Sequence, residues 1–411
     1  MFKLKSSVQF QRKLISAKKI KALINRSITP IKIFAVGSSV ISLAWEANCL
    51  RVPTNLWVDF FLEASFFVAI VESVVLSKIV SCGLVKAPTF MALSTHLIYF
   101  CGPLTHHMQI HPKIKSEYGR LQTVMVGIAR DMGQKPSLHD CYDARSRESV
   151  VLGTFPAVED CILQVTTLVE KLESLGIEVL RPAVLEKTNQ IFTRDIGFVI
   201  DDQFILPNII EDRKEELGAI ESLLNAIPSS NIIMLPSDCY AEGGDVIIHE
   251  PYVFVGVSSD ENFENFQTAR TNTNGFEYLQ DEFPALEFKS FELFKDDTDP
   301  LKGSLHLDCA FQPLGDALLL APHLFKNPAD ITWIENYFGR DNIFRCTQEE
   351  AYQLHTNVFS IAPKEVLVSA AAIRLQDWLR DRGYTVHAVA YDQVVKMGGL
   401  LRCSTMPLIR E

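Results

Sequence analysis

The chain has 411 residues, 47% apolar and 22% charged, which excludes a disordered polymer and gives length for one large domain or two to three ordinary ones. The formal net charge of -11 is unevenly placed: the first 45 residues hold nine Lys or Arg and no acid, and subtracting that +9 leaves -20 for the remainder. A body so acidic is a poor partner for nucleic acid, whose phosphates need a basic surface. The nine cysteines are odd in number, irregularly spaced and free of any CxxC pair, which argues against a disulfide framework or a structural zinc site and fits a reducing compartment.

Residues 1–115 read as a separate segment. A basic leader (Lys3, Lys5, Arg12, Lys13, Lys18, Lys19, Lys21, Arg26) precedes three apolar runs, Ile33–Trp45, Ala64–Val85 and Ala87–Ile110. A bilayer span needs about 20 mostly apolar residues. The first run is short, the second carries Glu72 and Lys78, and the third contains Pro88 and Pro103. Association of this segment with a membrane, an additional buried helical domain, and a start that adds non-native sequence are the three readings it admits.

From about Tyr118 a pattern sets in and recurs. Leu121–Gly127 is expected as a strand, Val158–Leu175 as an amphipathic helix and Gly176–Leu180 as a strand. Phe198–Pro207 reads as a hairpin about Asp201-Asp202, followed by a helix over Asp212–Ala226 and a strand over Ile232–Leu235. Further hairpins are expected at Asp245–Gly256, Cys309–Ala321 and Val358–Ser369. Helices follow near Thr273–Phe283, Ala329–Phe338 and Ala371–Arg382, with strands near Leu286–Phe291 and Thr385–Ala390. That makes about five hairpin–helix–strand modules over residues 116–411. Closing them into a ring removes exposed sheet edges and brings the inner strand ends to one pocket. The fold class expected is therefore α/β, a five-module pseudosymmetric α/β propeller preceded by an apolar N-terminal segment.

Four polar motifs stand at module starts or at the chain's end: Phe192-Thr193-Arg194-Asp195, Glu242-Gly243-Gly244-Asp245, His306-Leu307-Asp308 and Gly398-Gly399-Leu400-Leu401-Arg402-Cys403. Singly, each has an ordinary explanation: a surface ion pair, a turn, a core histidine, a small buried thiol. Together they point to chemistry. On a strand, His306 and Asp308 face one side. A Cys nucleophile needs an acid/base partner and a cationic setting. Asp195, Asp308 and Glu242 are costly to cluster unless a cation lies among them, and a planar guanidinium, gripped bidentately, is such a cation.

The ordered set RD, EGGD, HLD and GGxxRCxTxP resembles the arginine deiminase and amidinotransferase superfamily, the pentein fold, over about Ser116–Glu411. The resemblance implies Cys403 as nucleophile and His306 as general acid/base. Asp195 and Asp308 would hold the guanidinium nitrogens with help from Glu242, and Arg213 and Arg270 would bind a substrate carboxylate. It implies a small guanidino substrate and neither a metal nor an organic cofactor. The reaction implied is hydrolysis to a ureido product such as citrulline, as in arginine deiminases. Transfer of the amidino group to a second amine, and a non-catalytic guanidino-binding protein, are the alternatives. A cytoplasmic location fits, with or without membrane attachment through residues 1–115, and a homo-oligomer is compatible with it.

Overall fold

The computed structural model of the protein describes residues 109–411. The basic leader and nearly all of the apolar runs fall outside the described residues, and so do the expectations placed on them. Among the described residues, no helix is long and apolar enough to cross a membrane.

The described chain is a mixed α/β fold with five three-stranded sheets. β1 (Leu121–Val126) pairs in parallel with β2 (Glu178–Leu180). The next sheet joins β3 (Phe198–Ile200), β4 (Gln203–Leu206) and β5 (Ile232–Met234). Then come β6 (Val246–His249), β7 (Tyr252–Gly256) and β8 (Glu287–Phe291), followed by β9 (Phe311–Leu314), β10 (Ala317–Leu320) and β11 (Ile343–Arg345). The last of these sheets holds β12 (Phe359–Ala362), β13 (Glu365–Ser369) and β14 (Thr385–Val389). In each of these four sheets an antiparallel hairpin is followed by a strand parallel to its second arm. Tight turns make the hairpins, and the parallel partner needs a longer crossover, which here carries a helix. All four hairpins expected from the sequence are present.

The first sheet is built differently. Its antiparallel pair joins β1 to β15 (Thr405–Arg410), the last strand of the chain, with Val126 opposite Thr405 and Leu121 opposite Arg410. The segment ending at Cys403 is thereby tied to the start of the body.

Helices cover the sheets with one face. α1 (Ala144–Val151) is capped by Asp143, whose carboxylate accepts the Ser146 N–H. In α2 (Val158–Ser174) the buried positions are Cys161, Gln164, Val165, Leu168 and Leu172, a spacing that makes one helical stripe. Glu159 and Asp160 lie in its first turn and Lys171 in its last, matching the helix dipole. The expected helix over Asp212–Ala226 is instead a 3-10 stretch, Glu211–Ile220, followed by a short α-helix, Glu221–Ala226. The 3-10 geometry stacks residues three apart. It turns Arg213 and Glu216 to the same inward side, where both are buried and paired with each other.

The body takes in residues ahead of the expected boundary at 116. Ile110 and Ile114 are buried. The N–H of Lys113 donates to Leu408 O at 2.9 Å, and that of Arg410 donates to Lys113 O at 2.7 Å. Ile114 exchanges backbone hydrogen bonds with Asp201, and Glu117 N–H donates to Ile248 O. Residues 110–117 are thus a strap across β15, the β3–β4 turn and β6. Its far end carries the buried Glu117, whose carboxylate accepts two hydrogen bonds from the fully buried Arg402, at 2.9 and 3.2 Å.

Breaking a buried ion pair costs about 3–5 kcal/mol, and without Glu117 the buried Arg402 keeps only Asp308 as a carboxylate partner. Glu117→Ala is therefore expected to lower the denaturant midpoint sharply at unchanged slope. A midpoint equal to that of the unaltered protein would mean that Arg402 does not depend on the strap.

Candidate active site

Polar residues occupy equivalent places in successive modules, just before the first strand of a hairpin or before β15. Asp195 sits in a 3-10 turn (Thr193–Ile196) ahead of β3, Glu242 just before β6, and His306 at the start of a 3-10 turn (Leu307–Cys309) ahead of β9. Asn357 precedes β12, and Cys403 precedes β15. All five side chains are buried.

They form two groups. In the first, His306 Nε2 is 2.8 Å from Glu242 Oε2, and His306 Nδ1 is 3.7 Å from Asp195 Oδ1. Gly244 makes this approach possible, because a Cβ there would stand 2.6 Å from the His306 ring. The second carboxylate of the EGGD motif anchors the loop: Asp245 accepts from Leu307 N–H and Thr271 O–H, each at 2.8 Å. In the second group, Cys403 Sγ lies 3.8 Å from Asp308 Oδ2 and receives the Asn357 side-chain N–H at 3.2 Å. The Cys309 thiol donates to Asp308 Oδ1 at 3.3 Å. Its contact with Cys403, its burial and the Asp308 charge hold the Cys309 thiol well above its ordinary range, so it stays protonated.

Two expectations need correction. His306 and Asp308 do not share a strand face. The 3-10 turn between them sends His306 toward Glu242 and Asp195, and Asp308 toward Arg402 and Cys403. Nor do Arg213 and Arg270 stand free for a substrate carboxylate. Arg213 donates to Asp195 at 2.6 Å, to both Glu216 oxygens at 2.7 and 2.9 Å, and to Phe192 O. Arg270 donates to both Glu242 oxygens at 3.1 and 3.2 Å and to Tyr142 O at 2.8 Å. Asp308 in turn accepts from Arg402 at 2.9 Å. The cations that make this acidic cluster affordable are therefore the protein's own arginines. A motif scan cannot see such pairs, because the partners lie 18, 28 and 94 residues apart in the sequence. Asn357 was legible in principle: His355-Thr356-Asn357 precedes its hairpin as the other motifs precede theirs.

Charge states follow from these contacts. Burial alone would push the His306 imidazolium down, but the Asp195 charge and the Glu242 hydrogen bond outweigh it and raise its pKa to about 9. Burial would raise Glu242, yet Arg270 and His306 hold it well below the usual carboxylate range. His306 is thus a positively charged acid at neutral pH, paired with a carboxylate anion. Asp195 Oδ1 and His306 Nδ1 are both buried without a hydrogen-bond partner. Such atoms are costly to leave unmatched; here they face each other at 3.7 Å, and the backbone next to Asp195 bonds to that of Cys403, Arg194 N–H donating to Cys403 O at 3.0 Å.

Two sets of groups, Asp195 with Glu242 and His306, and Asp308 with Cys309 and Cys403, bring possible metal-ligating atoms within 4.8 Å of one another. Every carboxylate in them already carries an arginine, which opposes a further cation.

Comparison with known proteins follows the same lines. The family described as N,N dimethylarginine dimethylhydrolase, eukaryotic, matches residues 154–410. The uncharacterized protein YkgA of Bacillus subtilis (strain 168) is 30% identical over 300 residues, covering 72% of this chain and 94% of its own. Two solved structures share the fold. SxtG, an amidinotransferase from Microseira wollei, aligns at TM-score 0.56 and 15% identity over 73% of this chain and 97% of its own. The DDAH from Pseudomonas aeruginosa, solved as a mutant complexed with citrulline, aligns at 0.53 and 18% over 70% and 99%. With its hairpin–helix–strand sheets and matching motif order, the chain belongs to the N,N dimethylarginine dimethylhydrolase family, within the pentein superfamily of arginine deiminases and amidinotransferases.

Proposed function

We propose that this protein hydrolyses a guanidino group, of arginine or an arginine derivative, through a covalent intermediate on Cys403. The observation that carries the reading is the pair of buried, unmatched atoms, Asp195 Oδ1 and His306 Nδ1, the former in a segment whose Arg194 N–H donates to Cys403 O. A guanidinium placed there offers N–H donors to Asp195 and Asp308, whose oxygens keep acceptor capacity beyond their arginine contacts. The five sheets, taken as a closed ring, would converge on this spot. Residues before 109 supply none of these groups, and we read them as an accessory segment.

In the first half-reaction the Cys403 thiolate bonds to the guanidinium carbon. The bond from that carbon to the departing nitrogen then breaks, and His306 donates the proton that lets the amine leave. The product is an amidino-thioether on Cys403. In the second, His306 takes a proton from water, the oxygen attacks the same carbon, and the carbon–sulfur bond breaks to release the ureido product. Arg213 and Arg270 act as fixed countercharges to Asp195 and Glu242, and Arg270 holds Glu242 below the usual carboxylate range.

The test is product analysis after incubation with arginine, agmatine and methylated arginines, with no acceptor amine present. Ureido product with ammonia or methylamine is expected. Turnover only when a second amine is added would assign an amidinotransferase, and binding without any turnover would assign a guanidino-ligand binder.

A pH profile follows from His306. As the acid it must be protonated, so kcat/KM should fall as pH rises through about 9. Glu242→Gln should draw that limb down toward the ordinary histidine value of ~6.5. An alkaline limb already near ~6.5 in the unaltered protein would contradict the assignment. The same shift links stability to pH. An unfolded histidine releases its proton near ~6.5. This contribution is therefore complete below that pH and is lost as pH climbs through about 9.

Asp195→Asn keeps the shape of the side chain but removes the charge facing the substrate. A loss of roughly 2–5 kcal/mol in kcat/KM is expected, read from steady-state kinetics alongside a melting curve to confirm folding. Unchanged kinetics would place the guanidinium elsewhere.

A further inference from the structure

We propose that Asn357 holds the Cys403 sulfur in place as an attacking thiolate by donating its side-chain N–H to Sγ. The proposal rests on Cys403 being the nucleophile, as read above, but adds a residue that no motif in the sequence singled out.

The orientation of the Asn357 amide is fixed by its own contacts. Its Oδ1 accepts two backbone N–H groups, from Arg402 at 3.0 Å and from Cys403 at 3.2 Å. Only an oxygen can do this, so the other end of the amide, Nδ2, must be the atom that faces Sγ, at 3.2 Å. One side chain thus sets the backbone on which Cys403 is mounted and also touches its sulfur. Asn357 is itself held rigidly. It is fully buried, its N–H donates to Leu354 O at 2.9 Å, and the neighbouring Thr356 hydroxyl donates to Asp308 O at 3.1 Å.

The sulfur needs such a donor. Its other near partners are the Asp308 carboxylate, 3.8 Å away, and the Cys309 thiol. A carboxylate accepts from a neutral thiol but repels a thiolate. His306, which could in principle supply a proton or a positive charge, is hydrogen-bonded to Glu242 and not to Cys403. Among the described residues, Asn357 is the side-chain N–H donor that reaches Sγ. Hydrogen bonding to the charged form favours that form. The arrangement offers the sulfur two states: as a thiol it donates to Asp308, and as a thiolate it accepts from Asn357.

The test uses Asn357→Asp, which preserves the shape and an oxygen for both backbone N–H groups but replaces the donor with an acceptor. Alkylation of Cys403 by iodoacetamide is followed across pH by peptide mass mapping, which separates Cys403 from the other cysteines, in the full-length protein. Expected are at least ~10-fold slower alkylation at neutral pH and a profile moved upward by about one unit or more. Turnover should show a kcat lower by ~100-fold with KM changed far less, since the substrate contacts stay in place. If the carboxylate is not tolerated, Asn357→Ser, whose γ-hydroxyl is too short to reach Sγ, removes the donor and gives the same alkylation comparison. A folded variant with an unaltered alkylation profile would reduce Asn357 to a backbone support and overturn the proposal. Alkylation reads the sulfur directly. If the unaltered protein turns over no guanidino compound, the reaction reading fails while the role of Asn357 is still decided.

Discussion

The site depends first on burying carboxylates with their own arginines. Asp195 with Arg213, Glu242 with Arg270, and Asp308 and Glu117 with Arg402 form ion pairs whose members are all buried. Buried acids without partners would take up protons, and the cluster would lose the charge that makes it useful. With the arginines in place each acid has a fixed countercharge, and two consequences follow. His306 is held as a cation beside Glu242, and Asp195 Oδ1 is left without a hydrogen-bond partner. Arg402 adds a mechanical role. It is next to Cys403 in sequence, and its guanidinium reaches the strap through Glu117 and the β6 start through Val246 O. The position of the sulfur is therefore coupled to the folding of the first and last segments of the described chain.

Topology does the rest. Each motif sits in the short segment before a strand, where the backbone leaves regular hydrogen bonding and can turn a side chain inward. Glycine permits the closest of these approaches. Gly398, at φ +83°, lies where a Cβ would come within 2.4 Å of an Asp143 oxygen, so the loop before Cys403 packs directly on the cap of α1. The final strand β15 then fixes Cys403 by pairing with β1.

Much of the fold was legible in the sequence because it is local. Alternating apolar runs around Asp201-Asp202, Glu250-Pro251 and Gly315-Asp316 are hairpin signals that depend on residues a few positions apart. The pairing of β1 with β15 was not legible, since it joins the two ends of the body and no local pattern encodes it. The strap of residues 110–117 was missed for a related reason: Ile110 and Ile114 prolong an apolar, basic stretch that reads as a leader, and only their partners in β15 and the β3–β4 turn place them in the body. At the site, the motifs single out Asp195, Glu242, His306, Asp308 and Cys403, and the structure buries all five in the two groups described. The motifs could not report that the backbone at 307–309 is a 3-10 turn, nor that Arg213 and Arg270 face inward to the acids. Asn357 escaped because a neutral amide carries no charge pattern, although its position before β12 is equivalent to those of the others.

The proposed chemistry places a carbon–sulfur bond to Cys403 at the centre of the reaction, and that bond can be observed. The protein is mixed with a guanidino substrate, quenched in acid within the first turnovers, digested, and the peptide carrying Cys403 is weighed. The account predicts an added amidino group on Cys403 that forms before product, decays as product appears, and is absent in Cys403→Ser. Product formation with no adduct at any time, together with sustained turnover by Cys403→Ser, would contradict it.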